Sequence, residues 1–358
     1  MSLAVVRPLR ERRMPATEEE LADFELDVLS EFVLARHAAG LVDSSIRSDA
    51  THLEQIREWF GRPLWEMEPR DGDRYFGAVL RDASRSTRAS RAQALVTYFA
   101  FLELRYKVEL HELTGRVVEC PIDEMNRPRM SVDARVRIPP TTAEIEELFT
   151  GWREELASCR KFAPSARNYA VARLLADVGL RINEARMLDF ADVRWELGRF
   201  GKLDVRHGKG SRRKGPKQRL VPLINGADAV LAWYIEDVLG QFNSDFSLPG
   251  APLFPSERRC ADGPGSRLSD NVVRRALVVA VDNHLPSWAG RLTPHVLRHF
   301  CASQLYELGV DILAIQELLG HSWIATTMRY IHARNTRVED AVARGQQRAA
   351  QRWEGLIR

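Results

Sequence analysis

The sequence lacks the features of exported, disulfide-stabilised or membrane-spanning proteins. Its four cysteines are scattered and form no C-x-x-C pair. Neither a disulfide framework nor a zinc site is therefore indicated, and a reducing cytoplasm is the expected location. The apolar stretch from Leu3 to Val6 is too short for a signal-peptide core, and no later segment is long enough to cross a bilayer. We expect a soluble protein with no membrane partner.

The sequence also lacks a strong excess of one charge. It has 52 Lys and Arg against 49 Asp and Glu, a net charge of +3, so total charge alone does not indicate a nucleic-acid partner. A hydrophobic fraction of 45% and a charged fraction of 28% are ordinary for a soluble globular protein. At 358 residues the chain is long enough for two domains.

Acidic residues are absent from one short segment, and this absence is informative. Residues 206–219 contain seven Lys or Arg among fourteen residues and no Asp or Glu. A mobile solvated loop is one explanation, but an acid-free run of this density more often contacts a polyanion. The DNA-contact candidates within it are Arg212, Arg213, Lys214 and Lys217.

Apolar residues at spacings of three and four predict amphipathic helices over residues 17 to about 107. The predicted helices are Glu18 to Ala39, Asp43 or Ser44 to Phe60, Arg70 to Leu80, and Ser86 to Tyr106. On or just before the last of these stand Arg81, Arg85, Arg88 and Arg91. They form one face if the helix extends back far enough, either as an ordinary solvated face or as a ridge that contacts phosphates.

Prolines and arginines in residues 120–140 predict an extended basic linker. Thr141 and Glu144 then have the spacing of a capping box and begin a second, mainly helical region. Short strands are expected there at Asp192 to Trp195, Lys202 to Arg206, and Arg219 to Leu223. The predicted fold is mainly α with a small β-sheet.

Six residues later in the chain carry the chemistry of phosphoryl transfer. They are Arg181, Lys209, His295, Arg298, His321 and Tyr330. Fixed guanidinium and imidazole donors can stabilise the negative charge of a phosphodiester under attack, and a tyrosine hydroxyl can serve as the nucleophile. Taken singly, each has a simpler explanation; Arg181, for example, can pair with Glu184 one turn further on.

Together the motifs closely resemble those of the tyrosine recombinase (phage integrase) family, including its Xer-type members. They are Gly-Leu-Arg-Ile-x-Glu, Gly-Lys-Gly, His-x-Leu-Arg-His, Leu-Gly-His and Thr-Thr-x-x-Tyr, in that order. The resemblance implies an N-terminal extension at 1–16, a helical core-binding domain at 17–119, and the linker at 120–140. It further implies a catalytic domain at 141–335 and a C-terminal helical tail at 336–358 that docks either on its own domain or on a neighbouring protomer. With residues 1–16 as its N-terminal extension, the chain is not expected to carry the additional DNA-binding domain that some members of the family have.

The resemblance assigns a role to each of the six residues. Tyr330 would form a 3′-phosphotyrosyl bond, Arg181 and Arg298 would hold the non-bridging oxygens, and Lys209 would protonate the leaving 5′-oxygen. His295 would assist proton transfer, and His321 would donate a hydrogen bond to the phosphate. A long connection from Ser211 to Gln218 is expected between the strands, so Lys214 and Lys217 remain alternative general acids.

The same resemblance implies the setting of the reaction. We expect integration, excision or other DNA recombination, including that of a mobile element, on double-stranded DNA with inverted-repeat core sites. A tetramer on DNA, a nucleoid-associated cytoplasmic location, and a partner recombinase or directionality factor are implied, with no metal, ATP or other cofactor. Two alternatives remain open: a monomeric type IB topoisomerase-like enzyme, and a DNA-binding regulator without activity of its own.

Overall fold

The computed structural model describes residues 15, 17–128, 138–211, 215–242, 245–257 and 265–320, with the backbone alone at 209–211, 215 and 216. The chain divides into two compact units, Met1–Ala134 and Arg135–Arg358. Among the described helices, none combines the length and the apolar character that crossing a membrane requires.

The described part of the first unit consists of helices and the segments that connect them, with no β-strand. Its helices are α1 (Glu18–Ala38), α2 (Asp43–Phe60), α3 (Pro69–Arg74), α4 (Arg85–Arg105) and α5 (Lys107–Thr114). Phe32, Leu53 and Leu95 lie in its buried core, which α1, α2 and α4 supply in large part. The apolar spacing predicted α1, α2 and α4 to within a few residues, because the apolar stripe is the face that packs. The predicted helix from Arg70 to Leu80 is an α-helix only to Arg74 and continues as a π-helix over Tyr75–Val79, and α5 was not predicted.

The basic residues around α4 do not form one continuous helical face. Ser84 caps the helix through a hydrogen bond from the Thr87 amide, so Arg81 lies in the preceding turn. The Arg91 guanidinium donates to the Tyr75 hydroxyl and, at 2.6 Å, to the Gln55 side chain. Arg91 thus contributes to packing within the unit, whereas Arg85 is exposed and Arg88 is partly exposed.

The second unit combines helices with one small sheet. Its helices are α6 (Thr142–Glu155), α7 (Phe162–Asp177), α8 (Ile182–Arg186), α9 (Ala227–Trp233), α10 (Asp270–His284), α11 (Pro294–Glu307) and α12 (Ile312–Leu319). The capping box at the start of α6 is confirmed, because the Glu144 amide donates to Thr141 at 3.1 Å and the Thr141 amide donates to Glu144 at 2.6 Å. The prediction of a mainly α fold with a small sheet is confirmed.

Helix α7 lies at the centre of this unit. Eleven of its residues are buried, so its surface is covered on nearly all sides, and α10 and α11 pack against it. A helix that is apolar around most of its circumference is typical of the middle of a core. Its C-terminal end therefore leads into a buried position, where the chain continues through Gly179 to Arg181.

The sheet is a three-stranded antiparallel arrangement in the order β1 (Val193–Arg194), β2 (Lys202–Ser211) and β3 (Gly215–Pro222). The prediction of a long connection from Ser211 to Gln218 is wrong. Strand pairing continues from Leu203 opposite Val221 to Ser211 opposite Gly215. The outer half of this hairpin is polar and rich in glycine, so it has no apolar alternation from which a strand could be predicted.

Gly208 allows β2 and β3 to approach closely. A Cβ atom built at this position would lie 2.2 Å from the Lys217 carbonyl oxygen of the paired strand. Because this neighbour is backbone, only a shift of one strand could relieve the overlap. The register shifts on both sides of Gly208, so the glycine lies at an irregularity in the ladder.

We expect Gly208→Ala to lower the free energy of unfolding by about 1–3 kcal/mol, as overpacking does elsewhere. Urea denaturation measures the change. Gly240→Ala is the matched control, because a Cβ there meets no atom within 4 Å. Equal unfolding free energies for the two variants would contradict the close approach.

Candidate active site

The turn between α7 and α8 places Arg181 beside the core. Gly179 adopts φ 69°, as its position after a helix predicts, and a Cβ there would lie 2.5 Å from Leu319 and 3.2 Å from the Cys301 sulfur. Glycine is therefore required both by the backbone conformation and by the contact with α12. Leu180 is buried, and Arg181 follows it as the N-cap of α8.

Glu184 is a buried carboxylate that holds Arg181 in two ways. It accepts a hydrogen bond from the Arg181 amide at 2.9 Å and one from the Arg181 guanidinium at 2.6 Å. The pairing considered as the alternative role of Arg181 is thus present in the structure. The Arg181 side chain keeps 24% of its surface exposed, whereas Glu184 keeps 1%, so Arg181 can still receive a ligand from solvent.

Arg298 reaches the same carboxylate from α11. Its Nη1 lies 3.6 Å from Glu184 Oε2, and its side chain is 2% exposed. The guanidinium donates to the Gly179 carbonyl at 2.5 Å and to the Leu319 carbonyl. Arg298 is therefore held by the ends of α7 and α12, which fixes the orientation of the guanidinium plane.

A third guanidinium, that of Arg219 on β3, completes the cluster. It donates to the two oxygens of Glu184 at 3.1 and 2.8 Å. Neither the role of Arg219 nor the central position of Glu184 was predicted from the sequence. Two signals were available: Glu184 has capping-box spacing from Arg181, and Arg219 ends the acid-free segment.

The electrostatics of the cluster favour an anion. Burial opposes the ionisation of Glu184, but Arg219, Arg181 and Arg298 outweigh it and lower the pKa of Glu184 to about 2. Burial, and then the charge of Arg181, lowers the pKa of Arg298, although Glu184 opposes this effect. Three guanidinium groups around one carboxylate leave a local excess of positive charge. An arriving phosphate would relieve the repulsion among them.

His295 lies in the first turn of α11, the helix that carries Arg298. Thr293 caps α11 through a hydrogen bond from the Val296 amide at 3.4 Å. His295 is exposed, and its ring packs edge-on against His299 with 4.1 Å between centroids. His295 is thus accessible at the surface, one turn before the buried Arg298.

Several predicted site residues lie outside the part of the chain that the structure describes. His321 and Tyr330 lie outside the described residues, as do Arg212, Arg213 and Lys214. The backbone of Lys209 lies within β2, which runs to Ser211 and not, as expected, only to Arg206, while Lys217 is exposed on β3. Of the six predicted catalytic residues, the structure brings Arg181 and Arg298 to one carboxylate.

No group of three or more His, Cys, Asp or Glu side chains lies together as metal ligands would in the part of the chain that the structure describes. The chemistry available from the located side chains is that of cationic hydrogen-bond donors. Arg181 and Arg298 present planar donor groups that match the oxygens of a phosphate.

Comparison with known proteins identifies the family. A sequence model described as the phage integrase family matches residues 144–337. Tyrosine recombinase XerD of Rhizobium meliloti is 31% identical over 315 residues, which cover 85% of this chain and 89% of the relative. Tyrosine recombinase XerC of Herpetosiphon aurantiacus is 26% identical over 304 residues, covering 83% and 87%.

Two solved structures share the fold. XerH site-specific recombinase in a post-cleavage complex with palindromic difH substrate has a TM-score of 0.60 at 21% identity, covering 92% of this chain and 85% of that one. A lambda integrase dimer bound to a core site has a TM-score of 0.58 at 17% identity, covering 86% and 95%.

The depressed pKa of Glu184 predicts a pH-dependent contribution to stability. The ionised carboxylate stabilises the fold fully above its ordinary pKa of 4.5, and this contribution is lost as pH falls toward about 2. Glu184→Gln should remove a pH-dependent component on the order of 3 kcal/mol. The difference in unfolding free energy between wild type and variant should therefore be constant above about pH 5 and shrink below it.

Urea unfolding from pH 7 to pH 2.5 measures this difference. Glu236→Gln is a suitable control, since Glu236 lies on the exposed side of a helical segment and its substitution should leave the pH dependence unchanged. A difference between wild type and Glu184→Gln that does not vary with pH would show that the ionised Glu184 has no special role.

Proposed function

The chain belongs to the phage integrase family, and we propose how it works as a site-specific tyrosine recombinase that cuts and rejoins DNA. The Tyr330 hydroxyl attacks the scissile phosphorus. The bond from phosphorus to the 5′-oxygen breaks, and a 3′-phosphotyrosyl bond forms. Lys209 gives a proton to the leaving 5′-oxygen, with Lys214 and Lys217 as alternatives, while His295 assists the transfer of the tyrosine proton.

Arg181 and Arg298 hold the non-bridging oxygens of the phosphate in this proposal, together with a hydrogen bond from His321. The observation that supports it most directly is that Arg181 and Arg298 meet at the buried Glu184 carboxylate. Their positive charge is in place before the substrate arrives, so little reorganisation is needed when charge develops on the phosphoryl oxygens.

Rejoining reverses the first step. A free 5′-hydroxyl from a partner strand attacks the phosphotyrosyl phosphorus, the bond to the Tyr330 oxygen breaks, and the phenol regains its proton. One phosphodiester is replaced by another of similar energy, so ATP is not needed. Because guanidinium and imidazole donors provide the stabilisation of charge, we propose that the reaction is also independent of metal ions.

We propose that the enzyme acts as a tetramer that joins two DNA duplexes at inverted-repeat core sites. Residues 17–119 then form the core-binding domain, 120–140 the linker, 141–335 the catalytic domain, and 336–358 a tail that docks on its own or a neighbouring protomer. DNA contacts would come from Arg85 and Arg88, with Arg81 beside them, and from the hairpin residues Arg212, Arg213, Lys214 and Lys217, whereas Arg91 is committed to Tyr75 and Gln55. Action on a mobile element, a nucleoid location and a partner recombinase or directionality factor belong to the same proposal.

Replacing the nucleophile tests the reaction. Tyr330→Phe lacks the hydroxyl that forms the covalent bond, so we expect no protein–DNA adduct on a nicked suicide substrate, while affinity for the same DNA stays within about threefold of wild type. Denaturing gel electrophoresis detects the adduct, and reactions with chelator and without ATP test cofactor independence. Tyr306→Phe, on α11, serves as control. Adducts formed by Tyr330→Phe would overturn the assignment.

The basic residues of α4 give a separate prediction about DNA binding. If Arg85 and Arg88 contact phosphates, alanine at either position should weaken binding to all sequences alike and should lower the salt dependence of the binding constant by about one unit per residue. Binding titrations at several salt concentrations measure this slope. Arg105→Ala at the opposite end of α4 is the matched control. An unchanged slope would indicate that these arginines are simply solvated.

A further inference from the structure

Arg219 lies where three segments of the second unit meet. Its side chain is 8% exposed, although it belongs to a hairpin whose outer part is basic and polar. Besides its two bonds to Glu184, it donates from Nε to the Leu318 carbonyl at 2.9 Å. One side chain therefore connects β3, the buried carboxylate of α8 and the C-terminal end of α12.

Gly320 adds an independent sign of this close packing. A Cβ atom at Gly320 would lie 3.1 to 3.2 Å from Cδ, Nη1 and Cζ of Arg219. The arginine thus lies directly across the glycine that ends α12, and His321 is the next residue in the sequence. The Arg219 guanidinium consequently constrains the backbone at Gly320, the residue before His321.

Arg219 also determines how the Glu184 carboxylate is shared among the three arginines. The Arg219 guanidinium donates to both carboxylate oxygens, whereas the Arg181 guanidinium donates to one and the Arg181 amide to the other. Arg298 is left with a longer 3.6 Å approach to Glu184, and it donates hydrogen bonds to the Gly179 and Leu319 carbonyls. Without Arg219, each carboxylate oxygen would keep one hydrogen bond from Arg181, and the less compensated charge of Glu184 would attract Arg298 more strongly.

Arg219 stabilises the ionised Glu184 more than Arg181 or Arg298 does, but this is not the whole of its effect. Burying a guanidinium beside two others costs electrostatic free energy, and the charge of Arg219 contributes to the lowered pKa of Arg298. A favourable reason for this arrangement is geometric: it orients Arg181 and Arg298 for an incoming anion while it holds the end of α12.

We propose that Arg219 is a positioning residue of the recombinase active site. This inference rests on the proposed function. Arg219 acts through Glu184, which orients Arg181 and Arg298, and through the Leu318 carbonyl, which fixes the end of α12 ahead of His321. It makes no contact with the phosphate, so its removal should slow strand cleavage without weakening the binding of DNA.

The experiment measures single-turnover cleavage of a suicide substrate at saturating DNA, together with the Kd for the same DNA and the thermal midpoint of each variant. We expect Arg219→Gln to cleave about 100-fold more slowly, with Kd within about threefold of wild type. Arg219→Lys retains the charge but not the forked geometry, so it should recover part of the lost rate. The lysine variant decides the question if the glutamine variant does not fold.

Arg267→Gln is the matched control. Arg267 also binds a buried carboxylate, that of Asp189, but its other hydrogen bonds go to the carbonyls of Leu188 at 3.2 Å and Gly250 at 3.4 Å, and not to Glu184 or α12. We expect it to lower the thermal midpoint as Arg219→Gln does and to leave the cleavage rate within about threefold of wild type.

The outcomes separate this inference from the function on which it rests. A wild-type protein that forms no adduct overturns the function. If wild type cleaves, then wild-type rates in Arg219→Gln or Arg219→Lys overturn the positioning role, as does a loss of DNA affinity in proportion to rate. Equal slowing in Arg267→Gln would mean that general destabilisation, and not the position of Arg219, controls cleavage.

Discussion

The buried carboxylate of Glu184 is the group on which the candidate site depends. It is almost wholly removed from water, yet it stays ionised because three guanidinium groups approach it from α8, β3 and α11. A buried charge of this kind is tolerated only when partners compensate it fully. Each arginine therefore has a defined place, and the cluster retains more positive charge than the carboxylate neutralises.

Helix ends supply the remaining supports of the site. Arg298 donates to the carbonyls of Gly179 and Leu319, the first just after α7 and the second at the last residue of α12. Such carbonyls lack partners within their own helices and carry partial negative charge. A buried arginine can thus be held without a second carboxylate, which leaves more of its charge available to an anion than a full ion pair would.

Prediction from sequence succeeded where the local pattern and the packing have the same cause. The apolar stripes of α1, α2 and α4 and the capping box of Thr141 and Glu144 specified helices, because the signal is local to each helix. It failed at the hairpin, where a polar, glycine-rich stretch forms paired strands. It also failed to recognise the interaction of Arg91 with Tyr75.

By itself the sequence determined the fold class, the family to which the chain is similar, and the chemical groups available for phosphoryl transfer. Each of these follows from short motifs or from the periodic spacing of apolar residues. Only the tertiary structure decided that Arg219 shares Glu184 with Arg181 and Arg298, and that it lies across Gly320. The physical reason is that these partners come from segments far apart in the chain. Which of several arginines reaches a buried carboxylate depends on how the helices and strands pack, and no local spacing encodes that.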